Sequence, residues 1–165
     1  MNVYMTNGTV DFLRKTIENY PSHHLFLMNN SESAILYEET ENLTVLQEGR
    51  EYEIVDAKGT VNQDGYVVMN NIPVTTEGRP IFEDMFKNRQ GKVEEMPGFQ
   101  AIRILRPTTG NTYIVFTQWK DVESFQAWKD SQSFEKAHQK GKESKRPPFA
   151  AGPSYTTQYF MTELD

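Results

Sequence analysis

Three side chains in the second half of the sequence have the chemistry that an iron porphyrin would need. Asn70 offers an amide, Trp128 an indole and His138 an imidazole, and the last two stand ten positions apart. Neutral imidazole is a common iron ligand, and an indole can press against a planar cofactor with a large contact area. These residue types and their spacing predict a heme site more specifically than any other function.

Each of the three also has an ordinary alternative. His138 follows Phe134 by four residues, so both would project from one helix face, where histidine is also common as a surface or core residue. Trp128 follows Phe125 by three residues, which is typical of packing between a helix and a sheet. An inward Asn70 amide needs a backbone group, a water or a ligand as its partner. The residues alone leave these alternatives open.

A strand at residues 66–74 should carry Asn70. One face of this strand is apolar apart from the amide, and it consists of Tyr66, Val68, Asn70, Ile72 and Val74. The neighbouring Asn71 should point the other way, and we expect it at the surface.

Helices on both sides of a hairpin should cover that strand. The first begins near Gly78, with Thr76 as a cap, Pro80 in its first turn, and a stripe of Phe82, Met85, Phe86 and Arg89. Strands at 99–106 and 113–119 should pair as the hairpin. Asp121 then caps a short helix that carries Phe125 and Trp128; after a break at 129–133, a second short helix carries Phe134 and His138 and stops at Gly141.

A last strand at 155–161 completes the order β-α-β-β-α-β, which predicts an α+β, ferredoxin-like domain with helices on one face of an antiparallel sheet. The first sixty residues repeat part of this order, with strands at 3–5, 24–28 and 34–38, further candidates at 44–46 and 52–55, and a helix at 9–20. That helix should bury Val10, Leu13, Ile17 and Tyr20. The polar stretch 57–65 suggests a boundary between a smaller α+β domain, 1–60, and a second domain, 61–165, so the first domain could be a degenerate copy of the second.

Composition excludes several classes of function. The absence of cysteine excludes disulfides and thiolate metal sites, and a net charge of −6 disfavours nucleic acid as a partner. The sequence has neither an apolar run of about 18 residues, which a membrane span requires, nor a signal peptide, so we expect a cytoplasmic protein. His23 and His24 should point to opposite sides and not share a metal. A basic run is expected to be solvated or to bind an anionic ligand; it comprises Lys136, Lys140, Lys142, Lys145 and Arg146.

Several segments together resemble the antibiotic biosynthesis monooxygenase (ABM) superfamily and, within it, most resemble the IsdG-type heme-degrading monooxygenases. The segments are 70–78 (NNIPVTTEG), Phe82 with Phe86, 93–99 (VEEMPGF), 105–107 (LRP) and 119–138. In its length and its two-part organisation, the chain most resembles the HmoB-like members, whose relatives include TRAP signalling proteins.

The resemblance implies a heme pocket in which His138 ligates iron, Asn70 forms a hydrogen bond toward the opposite side of the iron, and Trp128 packs against the porphyrin and helps to distort it. Phe134 would also contact the cofactor. A gapless alignment gives the amide role to Asn70, whereas the position of the following glycine would give it to Asn71.

The implied reaction is oxidative opening of the heme ring, with heme as substrate and cofactor. It uses O2 and electrons from a reductase or small reductant, and it releases iron. Members of the superfamily are typically dimers whose sheets form a barrel, so the N-terminal part would take the partner's place in a monomeric pseudo-dimer, or the chain would form a homodimer. Two alternatives remain: a heme-binding or TRAP-like signalling protein without turnover, and a cofactor-independent monooxygenase acting on a quinol-like aromatic.

Overall fold

The computed structural model describes residues 1–46, 48–88, 93–138 and 149–164, with side chains described as far as Ser131 in the last helix. Its strands are β1 (Asn2–Gly8), β2 (Leu25–Asn29), β3 (Ala34–Thr40), β4 (Arg50–Gly59), β5 (Tyr66–Pro73), β6 (Phe99–Pro107), β7 (Thr112–Trp119) and β8 (Tyr155–Met161). Its helices are α1 (Val10–Asn19), α2 (Arg79–Lys87) and α3 (Val122–His138), with a single 3-10 turn at Val93–Glu95. No helix in these ranges is long and apolar enough to cross a membrane.

The strands close into an antiparallel barrel in the order β1-β3-β2-β8-β5-β7-β6-β4. The strands of the first half are therefore ordered β4-β1-β3-β2, and those of the second half are ordered β8-β5-β7-β6. This confirms the predicted ferredoxin-like arrangement of the second half. The seams between the halves are β2 with β8, and β4 with β6, where β4 pairs as far as Gly59 opposite Ala101. The polar stretch at 57–65 thus begins inside a strand.

Barrel closure buries the inward face of β5, and the helices α2 and α3 cover its outward face. Val67 and Met69 point into the barrel, while the outward residues Tyr66, Val68, Ile72 and Val74 join a second apolar cluster under α2 and α3, as the alternation predicted. The expectation that Asn71 lies at the surface is wrong: it is 8% exposed. It shares the inward register of Val67 and Met69, and in a closed barrel that face of the sheet is not open to solvent.

The first turns of the helices are fixed by nearby side chains. Thr9 caps α1 by accepting from the Phe12 N–H at 3.2 Å. The predicted Thr76 cap of α2 is wrong: Gly78 occupies the cap position, and its N–H donates to the Thr75 hydroxyl at 2.9 Å. The Thr75 hydroxyl closes a turn before the helix instead, and Pro80 lies in the first turn as expected.

The predicted break at 129–133 is also wrong, because α3 is a single helix from Val122 to His138. Lys, Asp, Ser and Gln weaken a helix by only a few tenths of a kcal/mol each, whereas a break usually needs Pro or Gly. The Asp121 cap is confirmed, since its Oδ1 accepts from the Ser124 N–H at 2.8 Å. The predicted stop at Gly141 lies outside the described residues.

A third apolar cluster lies under α1 on the first half of the barrel. Val10, Leu13 and Ile17 belong to it as predicted, whereas Tyr20 is 43% exposed. Residues 44–46 do not form the predicted strand; Leu46 is instead buried in this cluster. On α2, Phe82 is buried and Met85 is 48% exposed, so the apolar stripe is narrower than expected, and Arg89 lies outside the described residues.

Candidate functional site

Asn70 lies in the middle of β5 on the face covered by α2 and α3. Its register partners are Val115 on β7 and Thr156 on β8. The residue is half-buried, and its side-chain amide makes no hydrogen bond with any described group. Because Val68 and Ile72 are buried on the same face, this amide stands in an apolar setting without a protein partner.

Trp128 faces the same side of the sheet from α3. Its ring centroid lies 5.9 Å from that of Trp119 at an interplanar angle of 38°. The residue is half-buried, yet its indole nitrogen Nε1 is buried and has no hydrogen-bond partner. The fully buried Trp119 differs, because its Nε1 donates to the Thr117 hydroxyl at 3.0 Å. Trp119 is therefore structural, as expected, while Trp128 keeps an unused donor.

Four half-buried residues spread over this face: Asn70, Phe86, Val115 and Trp128. We call these four the open outer face. Beneath them, Phe82, Tyr113 and Trp119 are fully buried. The arrangement is an apolar and aromatic surface that carries an amide without a partner among the described residues, which suits a flat ligand.

The structure brings Asn70 and Trp128 to one face but does not describe the side chains of the other predicted site residues. The backbone of α3 extends through Phe134 and His138, so both are on the helix that carries Trp128. Their side chains lie outside the described residues. The same holds for the side chains of the basic run 136–146.

An ion pair that the sequence did not predict holds α2 against the sheet. Arg106 on β6 donates from Nε to Glu83 Oε2 at 2.7 Å and from Nη2 to Oε1 at 2.6 Å. The Tyr113 hydroxyl on β7 also donates to Glu83. No local pattern signals this group, because its members come from α2, β6 and β7.

The group changes the ionisation of its members. Hydrogen bonds from Arg106 are the main reason that the pKa of Glu83 is lowered; burial opposes them, and the Tyr113 hydroxyl adds to them. Burial, and then the hydrogen bond to Glu83, raise the pKa of Tyr113 to about 12. The carboxylate and the neutral phenol are thus the favoured forms, and α2 stays anchored beside the open outer face.

The two adjacent histidines turn to different neighbours. His23 Nδ1 lies 2.7 Å from Glu38 Oε2, and Glu38 also accepts from the Thr44 hydroxyl at 2.7 Å. The His24 ring packs 4.5 Å from that of Phe26. Among the described residues, no group of three His, Asp or Glu side chains could hold a metal ion.

Comparisons with known proteins identify the family. Residues 65–140 match the family described as antibiotic biosynthesis monooxygenase. A Staphylococcus aureus protein named signal transduction protein TRAP is 32% identical over 124 residues, which cover 75% of this chain and 74% of that protein. A Listeria monocytogenes protein named heme-degrading monooxygenase is 30% identical over 123 residues, which cover 74% of this chain and 73% of that protein.

One solved structure supports the fold over the whole length. It is described as a major regulator of staphylococcal pathogenesis, and it superposes with a TM-score of 0.86 over 99% of this chain and 100% of its own. At 24% identity this likeness shows the fold alone. Together with the match to the family and the two relatives, the barrel and its helices establish that the chain belongs to the antibiotic biosynthesis monooxygenase family.

Proposed function

We propose that this protein is a heme-degrading monooxygenase that opens the porphyrin ring of bound heme, using O2 and an external reductant, and releases the iron. The observation that carries the proposal is the Asn70 amide, which has no hydrogen-bond partner among the described residues and lies on the same face of the sheet as the Trp128 ring. The Listeria relative named heme-degrading monooxygenase supports the same reaction.

The residues of the open outer face offer the chemistry that a porphyrin needs. Trp128 and Phe86 provide ring surface for a flat apolar body. On the neighbouring strand, Asn70 presents an amide that can bind a small polar ligand. When bound, heme would supply both the iron that activates O2 and the carbon ring that is oxidised.

Each proposed site residue then has a distinct role. His138, on the same helix as Trp128, would hold the iron through its imidazole. Asn70 would orient a small polar ligand by a hydrogen bond, which is stronger in this apolar setting than in water. Trp128 and Phe134 would press on the ring and keep water away. Asn71 cannot take the place of Asn70, because it points into the barrel.

We also propose that the N-terminal half, roughly residues 1–60, takes the position that a partner subunit occupies in dimeric relatives. Support comes from the matching strand orders of the halves and from closure of the barrel within one chain. A protein that completes its own barrel has no need of a partner for this purpose. Light scattering should therefore give a mass near 19.1 kDa; twice that value would contradict this part of the proposal.

Turnover of heme tests the main proposal. The protein is loaded with heme without oxygen, and O2 and ascorbate are then added while the Soret band and free ferrous iron are followed. The wild type should lose the band and release iron. Asn70→Ala should keep heme but react about tenfold more slowly, the loss expected for one hydrogen bond worth about 1.4 kcal/mol. Asn42→Ala is the matched control, since Asn42 is exposed on the first half.

Other outcomes would favour the alternative functions. A Soret band that persists under these conditions would favour a heme-binding or signalling protein, an alternative supported by the 32% identity to the Staphylococcus protein named TRAP. If no heme is taken up, a cofactor-independent monooxygenase that acts on a quinol-like aromatic would be favoured. In that case His138→Ala would leave activity on such a substrate intact.

A further inference from the structure

A second compartment lies inside the barrel, on the opposite side of β5 from the open outer face. It is a cavity of about 750 Å³ at the barrel end where β1 and β5 finish and β4 and β8 begin. Asn7 and Arg50 line it from the first half, and Asn71 and Tyr159 from the second. We call it the barrel cavity. The proposed heme chemistry makes no use of it.

Three buried side chains bring unpaired polar atoms to the barrel cavity. Tyr52 and Tyr159 line it and are each 6% exposed, and neither hydroxyl makes a hydrogen bond with a described residue. Asn71 donates from Nδ2 to the carbonyl oxygens of Met69 and Tyr155, each at 3.2 Å, which leaves its Oδ1 without a partner. These atoms open onto the cavity, where a ligand can reach them and form hydrogen bonds with them.

The remaining wall of the barrel cavity is apolar at depth and cationic at the rim. Ile35, Met69 and Ile114 line it, and each is at most 3% exposed. At the rim, Arg50 donates to the neutral Asn7 Oδ1 at 2.6 Å, and no described carboxylate pairs with its guanidinium.

The other charged residue at the barrel cavity does not neutralise Arg50. The Glu51 carboxylate accepts from the Asn2 amide at 2.8 Å and from the Tyr4 hydroxyl at 3.3 Å. Tyr4 packs on the outer side of the sheet with the cluster under α1, so this carboxylate is engaged outside the barrel. Among the described residues, the cavity therefore combines an apolar floor, hydroxyl and amide walls, and a guanidinium that no carboxylate pairs.

We infer that the barrel cavity binds a small planar aromatic carboxylate that also carries a hydroxyl group. The aromatic body would lie on the apolar floor, the hydroxyl would meet Tyr52, Tyr159 or Asn71, and the carboxylate would pair with Arg50, whose planar guanidinium matches it. The volume is within the usual range for small-molecule sites, about 300–1,000 Å³. Both halves contribute to the wall, so the site exists only because the barrel closes.

The test uses 6-hydroxy-2-naphthoate, a fluorescent probe of this class, and its uncharged analogue 2-naphthol. Titration of the full-length, heme-free protein should show saturable binding of the naphthoate at one site per chain. Tyr159→Phe and Tyr52→Phe should each weaken it about three- to tenfold, the range expected for one hydrogen bond. Arg50→Gln should weaken naphthoate binding about tenfold and leave 2-naphthol unchanged, because only the naphthoate has a charge to pair. Tyr20→Phe, at an exposed tyrosine, is the control and should change nothing.

Tyr52→Phe and Tyr159→Phe remove hydroxyls that have no hydrogen-bond partner among the described residues, and Arg50→Gln loses only the exposed bond to Asn7, so the unfolding midpoints in urea should stay close to that of the wild type. Absence of saturable binding would overturn the inference and leave a water-filled cavity. Equal naphthoate affinity in the wild type, Tyr159→Phe and Arg50→Gln would also overturn it. So would loss of probe binding in Trp128→Phe or after heme loading, since either would place the probe on the open outer face. Heme binding by Tyr159→Phe should equal that of the wild type, which keeps this test separate from the heme proposal.

Discussion

The outer faces of the two barrel halves have the same strand order but differ in how they are covered. On the first half, Leu13 of α1 packs against Gly8, where an added Cβ would stand 3.3 Å from the leucine side chain. Leu46, from the segment that joins β3 to β4, is buried in the same cluster. On the second half, α3 joins β7 to β8 and leaves Trp128 half-buried.

The difference extends to the strand beneath. Met5 and Met69 both point into the barrel, so β1 carries Thr6 where β5 carries Asn70. One face is filled by leucine, whereas the other carries an amide and an indole N–H that have no partner in the part of the chain that the structure describes. The helices and loops that cover a sheet, more than the sheet itself, therefore determine which face can bind a ligand.

Among the variants that distinguish the two faces, Leu13→Ala should cause the largest loss of stability. Removing a fully buried leucine side chain typically costs about 2–5 kcal/mol, and Leu13 is 1% exposed. We expect urea denaturation to show a loss in that range while heme affinity stays unchanged. Phe12→Ala is the matched control, because Phe12 is 66% exposed on the same helix and should have little effect. A loss of heme affinity in Leu13→Ala would contradict the separation of the two faces.

Glu83→Gln should have a smaller effect, confined to the second half. Whereas α1 is held by leucine, α2 is held by the bonds that Arg106 and Tyr113 donate to Glu83. We expect the free energy of unfolding to fall by about 1–2 kcal/mol at neutral pH, because hydrogen bonds to a charged group are replaced by weaker neutral ones. Urea denaturation measures this change in the free energy of unfolding. A loss as large as that of Leu13→Ala would contradict the expectation that the bonds to Glu83 contribute only about 1–2 kcal/mol.

The effect of Glu83→Gln should also depend on pH. A carboxyl whose pKa is lowered by folding stabilises the protein above its unfolded pKa, about 4.3 for Glu, and loses that contribution as pH falls through the folded pKa. The lowered pKa of Glu83 therefore predicts that the stability difference between the wild type and Glu83→Gln shrinks as pH falls below about 4. A difference that stays constant between pH 7 and this acid range would contradict the assigned ion pair.

At alkaline pH, the contribution of Tyr113 to stability changes with pH in the opposite direction to that of Glu83. A phenol whose pKa is raised by folding stabilises the protein below its unfolded pKa, about 10, and that contribution is lost as pH rises. With the pKa of Tyr113 raised to about 12, the loss should fall between about 10 and 12. Ultraviolet difference titration of the wild type against Tyr113→Phe should show one tyrosine ionising in the upper part of this window. A tyrosine signal centred near 10 would contradict the assignment.

Substitutions of the two tryptophans should have the smallest effects on stability, and only one of them should lower heme affinity. Trp119→Phe removes a buried hydrogen bond to Thr117, which should cost about 1–2 kcal/mol. Trp128→Phe removes an N–H that has no partner, so its cost should be lower, whereas its heme affinity should fall. Urea denaturation and heme titration of both variants measure the contrast. The reverse pattern, with heme affinity lost only in Trp119→Phe, would contradict the proposed position of the heme.

The sequence predicted features that depend on neighbours along the chain. The last strand falls at 155–161 as expected, and the outward register of Asn70 follows from two-residue alternation. Barrel closure could not be predicted in this way, because it depends on pairs such as Tyr52 with Pro107, which no local pattern encodes. The inward burial of Asn71 is a consequence of that closure.

The location of two candidate site residues was predictable to a similar extent. Residue types and the family resemblance indicated Asn70 and Trp128 as candidates, and the structure brings both to one face. Whether the Trp128 N–H has a partner depends on which groups the tertiary structure places around it. The barrel cavity and the Glu83 ion pair had no sequence signal, since the residues of the cavity meet across strands of both halves and those of the ion pair come from α2, β6 and β7.

Heme titration of His138→Ala, with His24→Ala as its control, tests most directly whether the open outer face of the second half holds heme through α3. His24 is exposed on the first half and packs against Phe26. The proposal predicts that His24→Ala has the Soret band and affinity of the wild type. His138→Ala should show a shifted band and at least about tenfold weaker binding, equivalent to about 1.4 kcal/mol. An unchanged band and affinity in His138→Ala would contradict it.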